Sequence, residues 1–218
     1  MKKQAKLIIG IMLFGMLCTL STFTFGQVRF GLRAGFNLSN ASIHEKESYY
    51  ETDGKPIGRL HFGGIVEYSS TENVIFQSGL LFMGKGSKVV ETFKYGDEEE
   101  ELDQEKYTPL YLNIPMNVLY QNDQFFFGGG PYIGFGIGGS RQYGGISSKL
   151  SYGSSGLDDW ALFDLGLGVQ LGFKLRYGNV GAGYDLGLTS IYPKGYEVSN
   201  KPKNRVFNIF AAYMFNTK

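Results

Sequence analysis

The chain has 218 residues, a length that suits one domain, with 19% charged and 16% aromatic residues, 32 glycines and only 6 prolines. The glycines follow no three-residue period, which excludes a collagen-like rod, and 43% hydrophobic residues exclude a disordered chain. A formal net charge of +1 excludes nucleic-acid binding by charge alone, and the single cysteine, Cys18, excludes a disulfide framework or a zinc–cysteine cluster.

The first element in chain order is an address. Lys2, Lys3 and Lys6 precede an apolar stretch from Leu7 to about Leu20, and Thr24 and Gly26 put small residues at the −3 and −1 positions of a cleavage site. Residues 1–26 read as a secretory signal peptide and 27–218 as the mature domain. Cys18 leaves with the signal, and Leu17 before it departs from the small residue that lipidation needs. Losing three lysines leaves 18 basic against 20 acidic residues, so the mature chain carries a net charge of about −2.

From Val28 onward the sequence alternates with a period of two, which is the signature of a strand with one apolar face. The first strand sets Val28, Phe30, Leu32, Ala34, Phe36 and Leu38 against Arg29, Arg33 and Asn37. The second, about 57–68, sets Leu60, Phe62, Val66 and Tyr68 against Arg59, His61 and Glu67. The third, about 74–86, sets Phe76, Leu80 and Phe82 against Gln77 and Lys85. The fourth, about 108–121, has Asn113 and Asn117 on its polar face. The fifth, about 124–138, has glycines and Tyr132 there. The sixth, about 159–177, sets eight apolar residues from Phe163 to Tyr177 against Asp164, Gln170, Lys174, Arg176 and three glycines. The seventh, about 179–191, has Asp185 among glycines, and the eighth, about 205–215, sets Phe207, Ile209, Ala211, Tyr213 and Phe215 against Asn208, Phe210, Ala212 and Met214.

Eight such strands make either a soluble barrel with an apolar core or a membrane barrel with a polar one, and the alternation alone is blind to which face is inside. Three features select the membrane. The strands are long enough to cross a bilayer with tilt. Short turns near 69–73, 121–124 and 178–179 alternate with long connections near 39–56, 87–107, 139–157 and 191–204, as in outer-membrane barrels. Glycine and charge share one face, which suits a narrow lumen and would weaken a solvated sheet. The expected fold is therefore all-β: an eight-stranded antiparallel up-and-down transmembrane β-barrel in the outer membrane, monomeric, with both termini in the periplasm. Tyr68, Tyr107, Tyr120, Trp160, Tyr177 and Tyr192 lie near strand ends, where interfacial aromatic girdles are expected.

The order of motifs resembles a known family. Gly31-Leu32-Arg33-Ala34-Gly35-Phe36-Asn37-Leu38-Ser39, Phe76-Gln77-Ser78-Gly79-Leu80-Leu81-Phe82 with Lys85-Gly86, Tyr111-Leu112-Asn113-Ile114-Pro115, Gly129-Gly130-Pro131-Tyr132 and Phe163-Asp164-Leu165-Gly166-Leu167-Gly168 are similar to successive strands of the porin-family, or PorT-like, outer-membrane β-barrels of the Bacteroidota. The resemblance covers essentially the whole mature chain and implies a Gram-negative outer-membrane barrel. The last strand resembles the signal read by the barrel-insertion machinery, with Asn208 as its polar position and Tyr213 and Phe215 as its aromatics. Phe210 stands where glycine is usual, and Asn216-Thr217-Lys218 follow the last aromatic.

The candidate site is the lumen. Arg29, Arg33, Arg59, His61, Glu67, Lys85, Asp164, Lys174, Arg176 and Asp185 all fall on the inward face. An eight-stranded barrel is just wide enough for side chains to fill, and buried charges there must pair. The expected arrangement is a salt-bridge plug; the excess of cations over acids offers the alternative of a narrow, low-conductance path for anions or small solutes. Asp97-Glu98-Glu99-Glu100-Glu101, with Asp103 and Glu105, reads as a solvated loop, without the spacing of an EF-hand. A rim-located lipid enzyme would need a histidine beside a serine and an acid, and His44, near Ser42, Glu45, Glu47 and Ser48, is the candidate. The glycines at 128–130 precede no helix and read as packing, and the glycine- and serine-rich loop at 139–157 as an adaptable surface. No cofactor or metal is expected. The expected function is non-enzymatic: a structural or interaction barrel, accessory to an envelope or secretion assembly, with outer-membrane lipid, the insertion machinery and envelope proteins as partners, and no nucleic acid.

Overall fold

The computed structural model describes residues 28–47, 49–95, 98–153, 155, 158–193 and 201–215. The signal-peptide reading of 1–26, Asp97 of the acidic run, residues 194–200 of the connection near 191–204 and the tail at 216–218 lie outside them. In chain order the strands are β1 (Val28–Ala41), β2 (His44–Glu47), β3 (Tyr50–Lys55), β4 (Ile57–Ser69), β5 (Val74–Gly84), β6 (Ser87–Tyr95), β7 (Glu98–Tyr107) and β8 (Leu110–Gln121). They continue as β9 (Phe125–Gly138), β10 (Ser140–Tyr143), β11 (Ile146–Lys149), β12 (Tyr152–Gly153), β13 (Trp160–Ala161), β14 (Phe163–Leu175), β15 (Gly178–Gly187) and β16 (Asn204–Met214).

Eight of these close a barrel in the order β1, β4, β5, β8, β9, β14, β15, β16, all neighbours antiparallel. The seam joins the two ends of the chain, from Gly31 opposite Met214 to Ala41 opposite Asn204. The alternation of the sequence becomes the two faces of the wall. Leu60 on the outside is 69% exposed, whereas Asn37 on the inside is 0% exposed. Phe30, Leu32, Leu165, Leu167 and Leu171 point out; Arg33, Glu67, Gln77 and Asp164 point in. A continuous apolar exterior around a polar interior is stable only in lipid. The periodicity located all eight barrel strands to within a few residues; the sixth starts later than expected, at Phe163, because Trp160–Ala161 pair in parallel with Tyr152–Gly153 instead.

The long connections differ from the expected solvated loops. β2, β3, β6, β7, β10 and β11 form a six-stranded sheet standing beyond the barrel's mouth, in the order β11, β10, β7, β6, β3, β2. Three barrel hairpins thus continue outward after short breaks at Ser42-Ile43, Pro56, Lys85-Gly86, Thr108-Pro109 and Gly139. Two of the breaks need glycine. Gly86 has φ +129° and Gly139 φ +145°, and a Cβ would lie 2.0 Å from the Tyr107 carbonyl oxygen or 2.7 Å from that of Thr108. The acidic run lies on β7 and pairs with β6, Phe93 opposite Glu100 and Thr92 opposite Glu101. Val89, Val90, Thr92 and Phe93 give β6 strong strand preference, and the acidic strand is templated by it. The 139–157 loop carries the β10–β11 hairpin, turned by Gly144 and Gly145, both at positive φ.

Candidate functional site: a filled lumen beneath an outer sheet

The lumen is packed in levels. Its long-connection mouth is closed by a cluster of Ala41, Ile43, Tyr111, Trp160 and Ile191, with Tyr107, Tyr152 and Tyr192 against it. Trp160 is 0% exposed, with ring centroids 5.2 Å from Tyr107 and 6.2 Å from Tyr192. This corrects the girdle reading for those three residues, which face inward and seal the mouth. Tyr120 and Tyr177 are exposed at the short-turn end, and Tyr68 stacks on Phe76 there. A strand-end position leaves open which way an aromatic turns, and at Trp160 the chain has not yet entered the barrel wall, which it joins at Phe163.

Below the mouth, Lys85 is 0% and Asp164 2% exposed, and their charges meet at 2.7 Å. The same Asp164 oxygen accepts from Asn204 Nδ2 at 3.1 Å and Tyr132 Oη at 3.4 Å. The Lys85 ammonium also lies 4.3 Å from the Tyr132 ring centre, a cation–π contact. Beside it, His61 Nδ1 lies 2.7 Å from Asn37 Oδ1, and Asn37 donates to the Gly84 carbonyl. Gly35 makes room for the imidazole: a Cβ there would lie 2.5 Å from His61 Cε1. Arg59 is half-buried next to Gly84.

At mid-height Arg33 donates to Gln170 Oε1 at 2.8 Å and Asn208 Oδ1 at 3.0 Å, and its guanidinium stacks 3.5 Å from the Phe210 ring centre. Phe210 belongs to an inward cluster with Ile75, Leu119 and Phe126. Asp185 shares a small void with Arg33, and Gly168 leaves space for its carboxylate, which an added Cβ would approach to 2.7 Å. A hydrogen-bonded chain runs on from there. Gln170 donates to Gln77, Gln77 donates to Glu67, and Glu67 accepts from Arg29 at 2.8 Å. Lys174 and Arg176 border the short-turn end with Arg29 and Glu67; Arg176 sits on the turn after β14 and is exposed, stacked on Tyr177 at 5.1 Å.

Three pairs therefore balance charge along the lumen: Lys85 with Asp164 below the long-connection mouth, Arg33 facing Asp185 at mid-height, and Arg29 with Glu67 toward the short-turn end. The surplus cations Arg59, Lys174 and Arg176 stand nearer the two mouths. The interior voids are about 30 Å³ around Arg33 and Asp185 and about 50 Å³ around Arg29 and Glu67. Each has room for a few waters. Neutral partners such as Gln77, Gln170, Tyr132 and Asn204 carry the network between the charges. Gln77, Gln170 and Tyr132 stand on inward positions of the alternation, while Asn204 precedes the expected start of the last strand.

The outer sheet has its own charge pairs. Lys55 meets Glu101 at 2.8 Å, Lys94 meets Glu51 at 2.8 Å and Arg141 meets Glu105 at 2.5 Å. Lys55 holds the Glu101 carboxyl below its usual range through a hydrogen bond and its charge. Burial, and then the hydrogen bond to Glu105, push the Tyr107 phenol up. Glu105 raises the Arg141 guanidinium in turn. His44 Nδ1 lies 2.8 Å from Asp53, and Glu51 brings a third ligand-type atom within 4.8 Å, but Lys94 already neutralises Glu51. The Ser42 hydroxyl accepts from the Lys203 amide at 3.0 Å, and His44 has Asp53 as its partner.

No curated protein sequence matches the chain. Among solved structures, the chain is similar to Ail, the attachment invasion locus protein of Yersinia pestis, in complex with the heparin analogue sucrose octasulfate; the two are 14% identical over 87% of this chain and 99% of that one, with a TM-score of 0.45. It is also similar to the outer membrane protein OprG from Pseudomonas aeruginosa, 13% identical over 87% of this chain and 96% of that one, with a TM-score of 0.36. The family described as Outer membrane protein beta-barrel domain matches residues 21–192. With its apolar exterior, polar lumen and closed eight-stranded wall, the chain belongs to that family and resides in the outer membrane.

Proposed function

We propose that this protein is a non-enzymatic, PorT-like outer-membrane barrel whose task is interaction, as an accessory of an envelope or secretion assembly. The observation that supports this reading is the contrast between its two ends. The lumen is neutral at mid-height, filled, and capped by Trp160 and Tyr111. Beyond the cap stands an ordered six-stranded sheet with Tyr50, Tyr143 and Ile146 exposed. A structure closed to passage and elaborated outside is suited to holding something. We read Arg29, Arg33, Arg59, His61, Glu67, Lys85, Asp164, Lys174 and Asp185 as the rigidifying plug of the barrel, with Arg176 outside it on the exposed turn after β14, and Asn208, Tyr213 and Phe215 as the insertion signal.

The test is crosslinking in intact cells followed by mild-detergent purification of the tagged full chain. A stoichiometric envelope partner, crosslinked through β6–β7 or β10–β11, is the expected result. A lone monomer that also shows conductance steps in planar bilayers would replace this reading with that of a narrow channel.

A further inference from the structure

The C-terminal segment alternates without a break from Lys201 to Phe215. Pro202, Asn204, Val206 and Asn208 turn inward, and Lys201, Lys203, Arg205 and then Phe207 and Ile209 lie on the opposite face. The backbone ahead of β16 is held in place, because Ser42 N donates to the Lys203 carbonyl at 2.9 Å and Ile191 N to that of Pro202. Three cations at every second residue of an extended chain stand about 7 Å apart. Among the described residues, none of the three has an ion pair or a side-chain hydrogen bond. They line an open groove of about 500 Å³ with Ser42 and His44.

The position of this groove defines its ligand. Arg205 lies opposite Asn40 and Leu186 at the long-connection end of the wall. The next outward residue, Phe207, begins the apolar belt, so the cations stand where hydrocarbon gives way to headgroups. Lower on the same face, Ile209 and Ala211 border an apolar groove of about 910 Å³ with Ala34, Phe36 and Leu60. A cation at the edge of the hydrocarbon is costly unless an anion meets it there. In outer-membrane barrels the long connections face outward, and the anions of that leaflet are the phosphates of lipopolysaccharide.

We propose that Lys201, Lys203 and Arg205 form a lipopolysaccharide site, taking lipid A phosphate in the cationic groove and acyl chain in the apolar groove below. The site depends on the membrane placement of the barrel and stands whether or not the protein joins an assembly.

The full chain, refolded in detergent at fixed Mg²⁺, is titrated with purified lipopolysaccharide, and the temperature at which the folded gel band is lost is the readout. The expected result is a saturable rise in that temperature. The variant K201Q/K203Q/R205Q needs about 100-fold more lipopolysaccharide for half-saturation, about fivefold per cation. Dephosphorylated lipopolysaccharide gives no rise. An unchanged half-saturation in the triple variant overturns the proposal, and an equal rise with inorganic phosphate assigns the groove to free anions and overturns it too. The folded band in plain detergent controls for folding; should the triple variant fail there, R205Q alone carries the test, with about a fivefold loss expected.

Discussion

The Lys85–Asp164 pair shows what one side chain contributes. Both groups are almost wholly buried, so each is tolerable only because of the other. Asp164→Leu leaves an ammonium with Tyr132 and Tyr111 alone for company and should cost about 3–5 kcal/mol, read by urea unfolding in lipid vesicles. Lys85→Met together with Asp164→Leu should recover most of that loss, since removing both charges removes the desolvation penalty. Gly86→Ala should destabilise by a different route, forcing a Cβ onto the Tyr107 carbonyl at positive φ, and its unfolding midpoint should fall although no polar contact is lost. The inward position of both charged partners was legible from the period of two. Their pairing was not, because pairing across a lumen depends on height along tilted strands, which alternation does not encode.

At the scale of the element, the outer sheet is held by β-ladders and by an ion pair and a phenol hydrogen bond with opposite pH limits. Glu101 has a lowered pKa when folded, so its contribution is complete above its unfolded pKa and disappears as pH falls through the folded one; exposure keeps that contribution small. Tyr107 has a raised pKa when folded, so its contribution is complete below its unfolded pKa, about 10, and is lost as pH rises toward the folded one. Absorbance at 295 nm through an alkaline titration should show one fewer late-ionising tyrosine in Tyr107→Phe than in the parent chain. Deleting the β10–β11 hairpin, Ser140–Lys149, should leave the barrel's heat-dependent gel shift intact, because that hairpin meets the rest of the sheet only along β7. This sheet was hidden in the sequence. β7 is polar on both faces except for Leu102 and Tyr107, so no alternation stands out in Glu98–Tyr107, and the glycines and prolines that bend the hairpins at the rim look the same as those that begin a loop.

At the scale of the whole molecule, the wall was legible for one reason: lipid outside and a polar interior impose opposite demands on successive residues eight times over. The plug and cap then forecast electrical silence. Planar bilayers containing the intact protein should show no steps, and Arg33→Ala with Phe210→Ala, which removes the mid-height stack but leaves the Trp160 cap and the Lys85–Asp164 pair in place, should stay silent too. The seam between β1 and β16 has a consequence in time. Residue 31 meets residue 214, so the wall cannot close until nearly the whole chain has been made and exported. Until then every finished strand carries an apolar face and an open hydrogen-bonding edge in water, the condition in which chains aggregate. Closure over so long a loop is also slow, since the entropy of the intervening chain must be lost before the pairing forms. The cell must therefore keep this protein unfolded and escorted through the periplasm, and its final strand commits the whole chain to the membrane at once.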